Sequence, residues 1–188
     1  SNNSLNLLFI NHQNKHLSNL VFRKAVAYAI DREKSAEAFS GRSTLINSAS
    51  VLESSTYNPN IQGYDYKRKN MKKIVKQLTQ DNNYKLEGKK LMYKNSSNEW
   101  EQVKLKIIYN YGGIETEEKN ALNNIKEFLV QNLGIKVKLK PVQETNWKSR
   151  LRKLSQWDLA YSRMVVEEGK GLGTYYSKNA SFNKYSTK

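Results

Sequence analysis

Apolar residues fall at positions 21, 22, 25, 26, 29 and 30, the spacing of one stripe along a helix of 3.6-residue period. Ser18, just upstream, is the expected N-cap. Asp31 comes after the stripe and can accept from the amides of the next turn, so a second helix is expected, ending at Gly41. Before these helices, residues 5–10 form an apolar run of strand length, and residues 11–18 read as a polar turn. Residues 42–69 are rich in Ser, Asn and Tyr and predict a long loop pinned by Tyr57, Tyr64 and Tyr66.

The second half alternates more regularly. Met71, Ile74, Val75 and Leu78 mark a helix whose other face carries Lys67, Arg68, Lys69, Lys72, Lys73 and Lys76. Residues 91–94 and 103–109 read as two strands around Asn95-Ser96-Ser97-Asn98. Within the second, Val103, Leu105 and Ile107 alternate with Lys104 and Lys106, so one face is buried and one is wet. Ala121, Leu122, Ile125, Phe128, Leu129 and Leu133 predict a helix over 116–133, ended by Gly134. Glu117 and Glu118 suit its positive end, although Thr116 and Lys119 make no capping box. Ile135, Val137 and Leu139 alternate with Lys136, Lys138 and Lys140 in a strand closed by Pro141. Trp147, Leu151 and Leu154 suggest a short helix, and residues 157–166 a last strand.

This order predicts a mixed α/β domain, one unit over residues 1–188 with an irregular tail from 167. The helix 116–133 between two strands is a βαβ unit, expected to be right-handed. No internal repeat is visible.

Charge changes the picture more than composition does. There are 32 Lys and Arg against 17 Asp and Glu, a net charge of +15, which favours anionic partners or a solvated lysine-rich surface. No cysteine is present, which excludes disulfides, thiolate metal sites and a Cys nucleophile. No stretch has the length of a membrane span, and no secretory leader opens the sequence.

Candidate chemistry is sparse. His12 and His16 are four residues apart, a spacing that binds zinc on a helix, but the segment is not helical and no third ligand is near. Gly169-Lys170-Gly171-Leu172-Gly173 is neither a Walker loop nor a dinucleotide fingerprint and reads as a flexible loop. No Ser-His-Asp or Cys-His arrangement and no carboxylate dyad occurs, so neither an enzyme nor a cofactor is expected. Trp100 and Trp157 read as core residues.

Four segments together carry a family resemblance. They are residues 5–34 with Arg23-Lys24-Ala25 and Ala29-Ile30-Asp31-Arg32, then Tyr57-Asn58-Pro59-Asn60 with Tyr64-Asp65-Tyr66 and helix 70–78. The third is residues 103–137, ending Leu133-Gly134-Ile135-Lys136-Val137, and the fourth is Trp147 with Trp157-Asp158-Leu159-Ala160. In this order they resemble the family 5 extracellular solute-binding proteins, the oligopeptide-, dipeptide- and nickel-capturing subunits of ABC importers. The resemblance implies one lobe of a type II periplasmic-binding-protein-like fold, the C-terminal one, with its second lobe outside this chain. It implies an extracellular or periplasmic protein, lipid-anchored in full-length form, that passes peptide or another small solute to membrane transport subunits.

The resemblance also implies a site. Laid on the family pattern, Glu167 takes the place of the acid that captures a ligand ammonium. Arg163, Met164 and Val165 would supply main-chain contacts, and Trp147 would line a side-chain pocket. Peptide binders commonly carry Gly-Trp where this chain has Arg163-Met164, Asp where it has Glu167, and an acidic N-cap where it has Lys67. A degenerate lobe acting as a cell-surface interaction module is therefore one alternative. A basic nucleic-acid-binding module, built on the basic helix 67–76 and the lysines of 136–140, is another; under the solute-binding reading no nucleic-acid partner is expected.

Overall fold

A computed structural model describes residues 3–31, 34, 51–52 and 68–166. Among the described residues, eight strands form two sheets. Strands β1 (Asn3–Ile10), β2 (Val51–Leu52), β6 (Lys104–Asn110), β7 (Lys136–Val142) and β8 (Leu159–Val166) make a five-stranded sheet of order β2-β1-β8-β6-β7. Strands β3 (Tyr84–Glu87), β4 (Lys90–Lys94) and β5 (Trp100–Gln102) make a separate antiparallel sheet. The larger sheet is mixed: β6, β7 and β8 are mutually parallel, and β1 runs antiparallel to β8. This is the mixed α/β class expected, with helices flanking the sheet.

Helix α1 (Leu20–Ala29) buries Phe22, Ala25, Val26 and Ala29 against the sheet. Its N-cap is Asn19 rather than Ser18, because the Asn19 Oδ1 reaches the amides of Val21 (2.8 Å) and Phe22 (3.4 Å). Asp31 does cap the next turn, accepting from the Lys34 amide at 3.2 Å. The remainder of the second helix, and the tyrosines expected to pin the long loop, lie outside the described residues.

Helix α2 (Arg68–Leu78) buries Met71, Ile74 and Leu78 and leaves its lysines in water. Helix α3 (Thr116–Phe128) carries a capping box where none was expected, one residue before Thr116 and Lys119, between Glu115 and Glu118. The Glu115 amide donates to Glu118 Oε2 at 2.8 Å. The last turn, Leu129–Leu133, widens into a π-helix before Gly134 ends it at φ 73°. Helix α4 (Glu144–Arg152) buries Trp147 and Leu151.

The short strands β2, β3 and β5 have no counterpart in the sequence reading, being two to four residues long. The hairpin around residues 95–98 joins β4 to β5, and the chain then changes sheets at Val103 before β6 begins. Pro141 lies inside β7 rather than closing it, which an edge strand tolerates. Trp100 is half-buried, with Lys85 Nζ 4.4 Å above its ring, so it is a sheet-edge aromatic and not a core one. Trp157 is core, as expected.

Gly134 ties the two sheets together. Its carbonyl accepts from the Leu91 amide (2.9 Å) and from Gln102 Nε2 (3.0 Å). A Cβ at this position would sit 2.0 Å from the Lys89 carbonyl oxygen, so only glycine permits both the left-handed turn and the contact.

A polar knot ties β1 to β8. Asn11 is buried, and its Nδ2 donates to the carbonyls of Leu154 (2.6 Å) and Trp157 (2.7 Å). Asn14 Nδ2 donates to Asp158 Oδ1 at 2.7 Å, while Asp158 Oδ2 accepts from the Lys106 amide at 2.7 Å. Burial pushes the Asp158 carboxyl above its ordinary range, and the Lys106 amide and Asn14 partly offset this.

Beside the knot, His16 is 2 % exposed and packs edge-on to Tyr93, with ring centroids 4.5 Å apart. Its Nδ1 lies 2.6 Å from the Tyr84 hydroxyl, which burial holds protonated up to about pH 12. Burial, with Lys15 nearby, lowers the His16 pKa to about 4.

Two outcomes are expected. Asn11→Ala strips one buried and one part-buried carbonyl of their donor and should lower the unfolding free energy by about 2–4 kcal/mol in urea titration, with the m-value unchanged. Loss below about 1 kcal/mol would mean that water replaces the side chain. For His16, the unfolded chain binds a proton below pH 6.5 and the folded chain only below about pH 4. Stability should be full above pH 6.5 and fall by up to about 3 kcal/mol as pH drops from 6.5 to 4. His16→Gln should remove that part of the slope in pH-dependent denaturation.

Candidate ligand-binding edge

Because β6, β7 and β8 are parallel, their carboxyl ends meet at one edge of the sheet, the usual position of ligand sites in such sheets. β1 runs the other way, so its first residue, Asn3, pairs with Val166 at the same edge. Helix α3 starts there after β6, and α4 starts there after β7.

β8 reaches further than its neighbour. It pairs with β6 only from Leu159 to Tyr161, where β6 is about to end at Asn110. On its other side it stays paired with β1 out to Val166. The chain after β6 turns away towards β7, the Tyr111 amide donating to the Val142 carbonyl at 2.8 Å. Residues 162–166 therefore present one backbone edge that no strand covers among the described residues. Such an edge can accept an extended peptide as an added strand.

Arg163, Met164 and Val165 lie in this projecting segment, opposite Asn6, Leu5 and Ser4 of β1. Glu167 lies outside the described residues, one position beyond the end of β8. Trp147 is in the first turns of α4 at the same end of the sheet, but is 8 % exposed, so packing occupies most of its ring.

The edge also holds residues that the sequence reading passed over. Tyr111 follows β6 and is 56 % exposed, with Lys119 Nζ 5.4 Å from its ring centre. Its signal was an aromatic followed by Gly112-Gly113 at a strand end. Gly112 allows the loop to lie against α4, since a Cβ there would be 2.6 Å from Glu144 Cβ. Four carboxylates gather at this end of the sheet, on Glu115, Glu117, Glu118 and Glu144. Glu118 is buried and accepts from the Tyr161 hydroxyl at 3.2 Å, so it braces β8 from beneath.

A second cleft, of about 820 Å³, lies beside His16 and is lined by Lys15, Tyr84, Tyr93, Asp81 and Glu101. Lys15 Nζ donates to the Tyr93 hydroxyl (2.7 Å), which donates to Glu101 Oε2 (2.6 Å), while the buried His16 Nε2 has no hydrogen-bond partner among the described residues. His16 is engaged with Tyr84, and no group of three or more potential metal ligands occurs among the described residues. No helix among them is long and apolar enough to cross a membrane.

The two basic elements do not form one surface. α2 packs beside α1, which covers the sheet face built from Leu105, Ile107 and Val137. Lys136, Lys138 and Lys140 alternate with Val137 and Leu139 and point to the opposite face.

The fold has many solved relatives. NikA from Brucella suis, in complex with Fe(III)-EDTA, superposes with TM-score 0.70 at 14% identity, over 99% of this chain and 36% of that one. The oligopeptide-binding protein AppA from Bacillus subtilis, in complex with a nonapeptide, gives 0.69 at 14% identity, over 100% and 38%. A mannohexaose-bound oligopeptide-binding protein from Thermotoga maritima gives 0.68 at 24% identity, over 97% and 36%. The chain thus spans about a third of the length of the structures it matches. No curated protein sequence matches it. The family model for bacterial extracellular solute-binding proteins, family 5, middle region, matches residues 1–186, and the chain belongs to that family.

Proposed function

We propose that this chain is the ligand-holding lobe of an extracellular peptide receptor that delivers oligopeptides to an ABC importer. The observation that carries this reading is the uncovered backbone edge of residues 162–166, on the side of β8 that β6 leaves open. A peptide laid along it would exchange main-chain hydrogen bonds, indifferent to side-chain identity, with those residues among Arg163, Met164 and Val165 whose backbone groups point away from β1. That suits a receptor for peptides of mixed sequence. The carboxylates of Glu115, Glu117 and Glu144 stand at the same end of the sheet and would attract a ligand that brings an ammonium group.

Glu167 is the anchor in this reading. One residue past β8, it would meet the N-terminal ammonium of a peptide whose backbone follows the strand. A charge-assisted bond in a cleft closed by the second lobe would fix the peptide's register. Trp147 would back a side-chain pocket, and Tyr111 would supply an exposed aromatic wall. Closure of the two lobes around peptide would then select the form that docks on the membrane subunits. The full-length protein would work outside the cell membrane, held by a lipid anchor or free in a periplasm.

The test is a titration of the full-length protein with a peptide mixture, followed by tryptophan fluorescence. Saturable binding is expected. Glu167→Gln should weaken peptides with a free N-terminus by about tenfold to a hundredfold, the worth of one charge-assisted bond. N-acetylated peptides should bind wild type and variant alike. Absence of saturable binding by the full-length protein, or equal affinity of both proteins for free peptides, would overturn the reading.

A further inference from the structure

The lysines of β6 and β7 are in register. Lys104 stands opposite Lys136, and Lys106 opposite Lys138, with Lys140 next along the edge strand opposite Ile108. Paired residues on adjacent strands share a face, so these five side chains leave the sheet on one side, away from the main core. Arg150 of α4 adds a sixth cation close enough to perturb Lys140. The two strands are separated by about 4.8 Å, and successive lysines on one strand by about 6.8 Å, which makes a dense planar grid of charge.

The grid makes no ion pair among the described residues. Among the described residues no carboxylate lies within 4.0 Å of any of these cations, the only ion pair of the sheet regions being Lys85 with Glu87. Asp158 acts on Lys106 and Glu101 on Lys104 at longer range, and the two Asp158 oxygens are already bonded to Asn14 and to the Lys106 amide. Like charges directly opposed on neighbouring strands destabilise a sheet. Here two such pairs stand side by side on the edge of the sheet, and Lys140 is pushed below the ordinary lysine range by Lys106, Arg150 and Lys138.

We propose that this face seats the lobe on the phosphate plane of an anionic lipid bilayer. The exposed part fits: Lys104, Lys136 and Lys138 are exposed at the amino half of the face, while α4 covers its carboxyl half, where Ile108 and Val142 are buried, and lysine is a flexible point charge whose stem can adjust to a plane of phosphates. The chemistry also argues against nucleic acid, because no aromatic interrupts the grid to stack on bases. The location leaves the receptor free to work. Lys104 and Lys136 lie at the amino ends of β6 and β7, whereas the open edge of β8 lies at the carboxyl ends. The inference does not depend on what that edge binds.

Co-sedimentation of the unacylated full-length protein with vesicles tests this. Two vesicle types serve, pure phosphatidylcholine and phosphatidylcholine with one-third phosphatidylglycerol. Binding is expected only to the second, and should weaken as salt is raised to about 0.15 M. The double variant Lys136→Gln/Lys138→Gln should weaken it about 25-fold, near fivefold per lysine. The matched pair Lys72→Gln/Lys73→Gln on α2 should change it by less than about twofold. All four lysines are exposed, so the fold is retained in each variant. Equal weakening by the two pairs would mean that bulk charge alone acts, and would overturn the proposal. So would failure to bind the anionic vesicles, whether or not duplex DNA is retained under the same conditions.

Discussion

The Asp158 carboxylate is the point on which the larger sheet depends. One oxygen holds the Lys106 amide at the start of β6, the other holds Asn14 in the loop after β1. Asn11, three residues earlier, grips the carbonyls of Leu154 and Trp157 just before β8. Three strands distant in sequence are thereby joined at one end. Because strand pairing has a period of two, a slip of one residue here would turn every later side chain of β8 to the wrong face. The knot therefore sets which backbone groups of residues 162–166 face outward at the far end. Its cost is a half-buried carboxylate, which the structure meets chiefly with hydrogen bonds and, at longer range, with Lys106 and Lys15.

The molecule is also divided electrically. Glu115, Glu117, Glu118 and Glu144 gather where the parallel strands end, and lysines gather where β6 and β7 begin. A net charge of +15 thus conceals a cluster of carboxylates at the end of the sheet where residues 162–166 project. Glu118 serves both needs, capping α3 and bracing Tyr161 in β8. Gly134 performs the parallel task for the small sheet, since its carbonyl and its bare Cα are what allow β4 to sit against the turn before β7.

The elements legible in the sequence were those with a local period. The stripes on 20–30, 70–78 and 116–133 and the alternation on 103–109 and 135–140 each report a buried face. The family frame was legible too, through Ala29-Ile30-Asp31-Arg32 and Trp157-Asp158-Leu159-Ala160. The strand order was not, because the insertion of β8 between β1 and β6 leaves no local trace. Neither was the knot, whose partners lie 143 and 146 residues from Asn11. His16 read as a loop residue because its burial comes from Tyr84 and Tyr93, on another sheet. At the site, Arg163, Met164 and Val165 carried no signal of their own, since what matters there is backbone left uncovered. Glu167 was reached by resemblance alone, and Tyr111 was missed because one aromatic at a strand end has no period.

The central claim is that the knot holds β8 so that residues 162–166 offer a free backbone edge to an extended ligand. Amide hydrogen exchange of the full-length protein, with and without a saturating peptide mixture, tests it most directly. Strand addition predicts slowed exchange at every second amide of 162–166, those pointing away from β1, with little change in β7. Uniform exchange across this segment with peptide bound, or protection confined to other parts of the lobe, would contradict it.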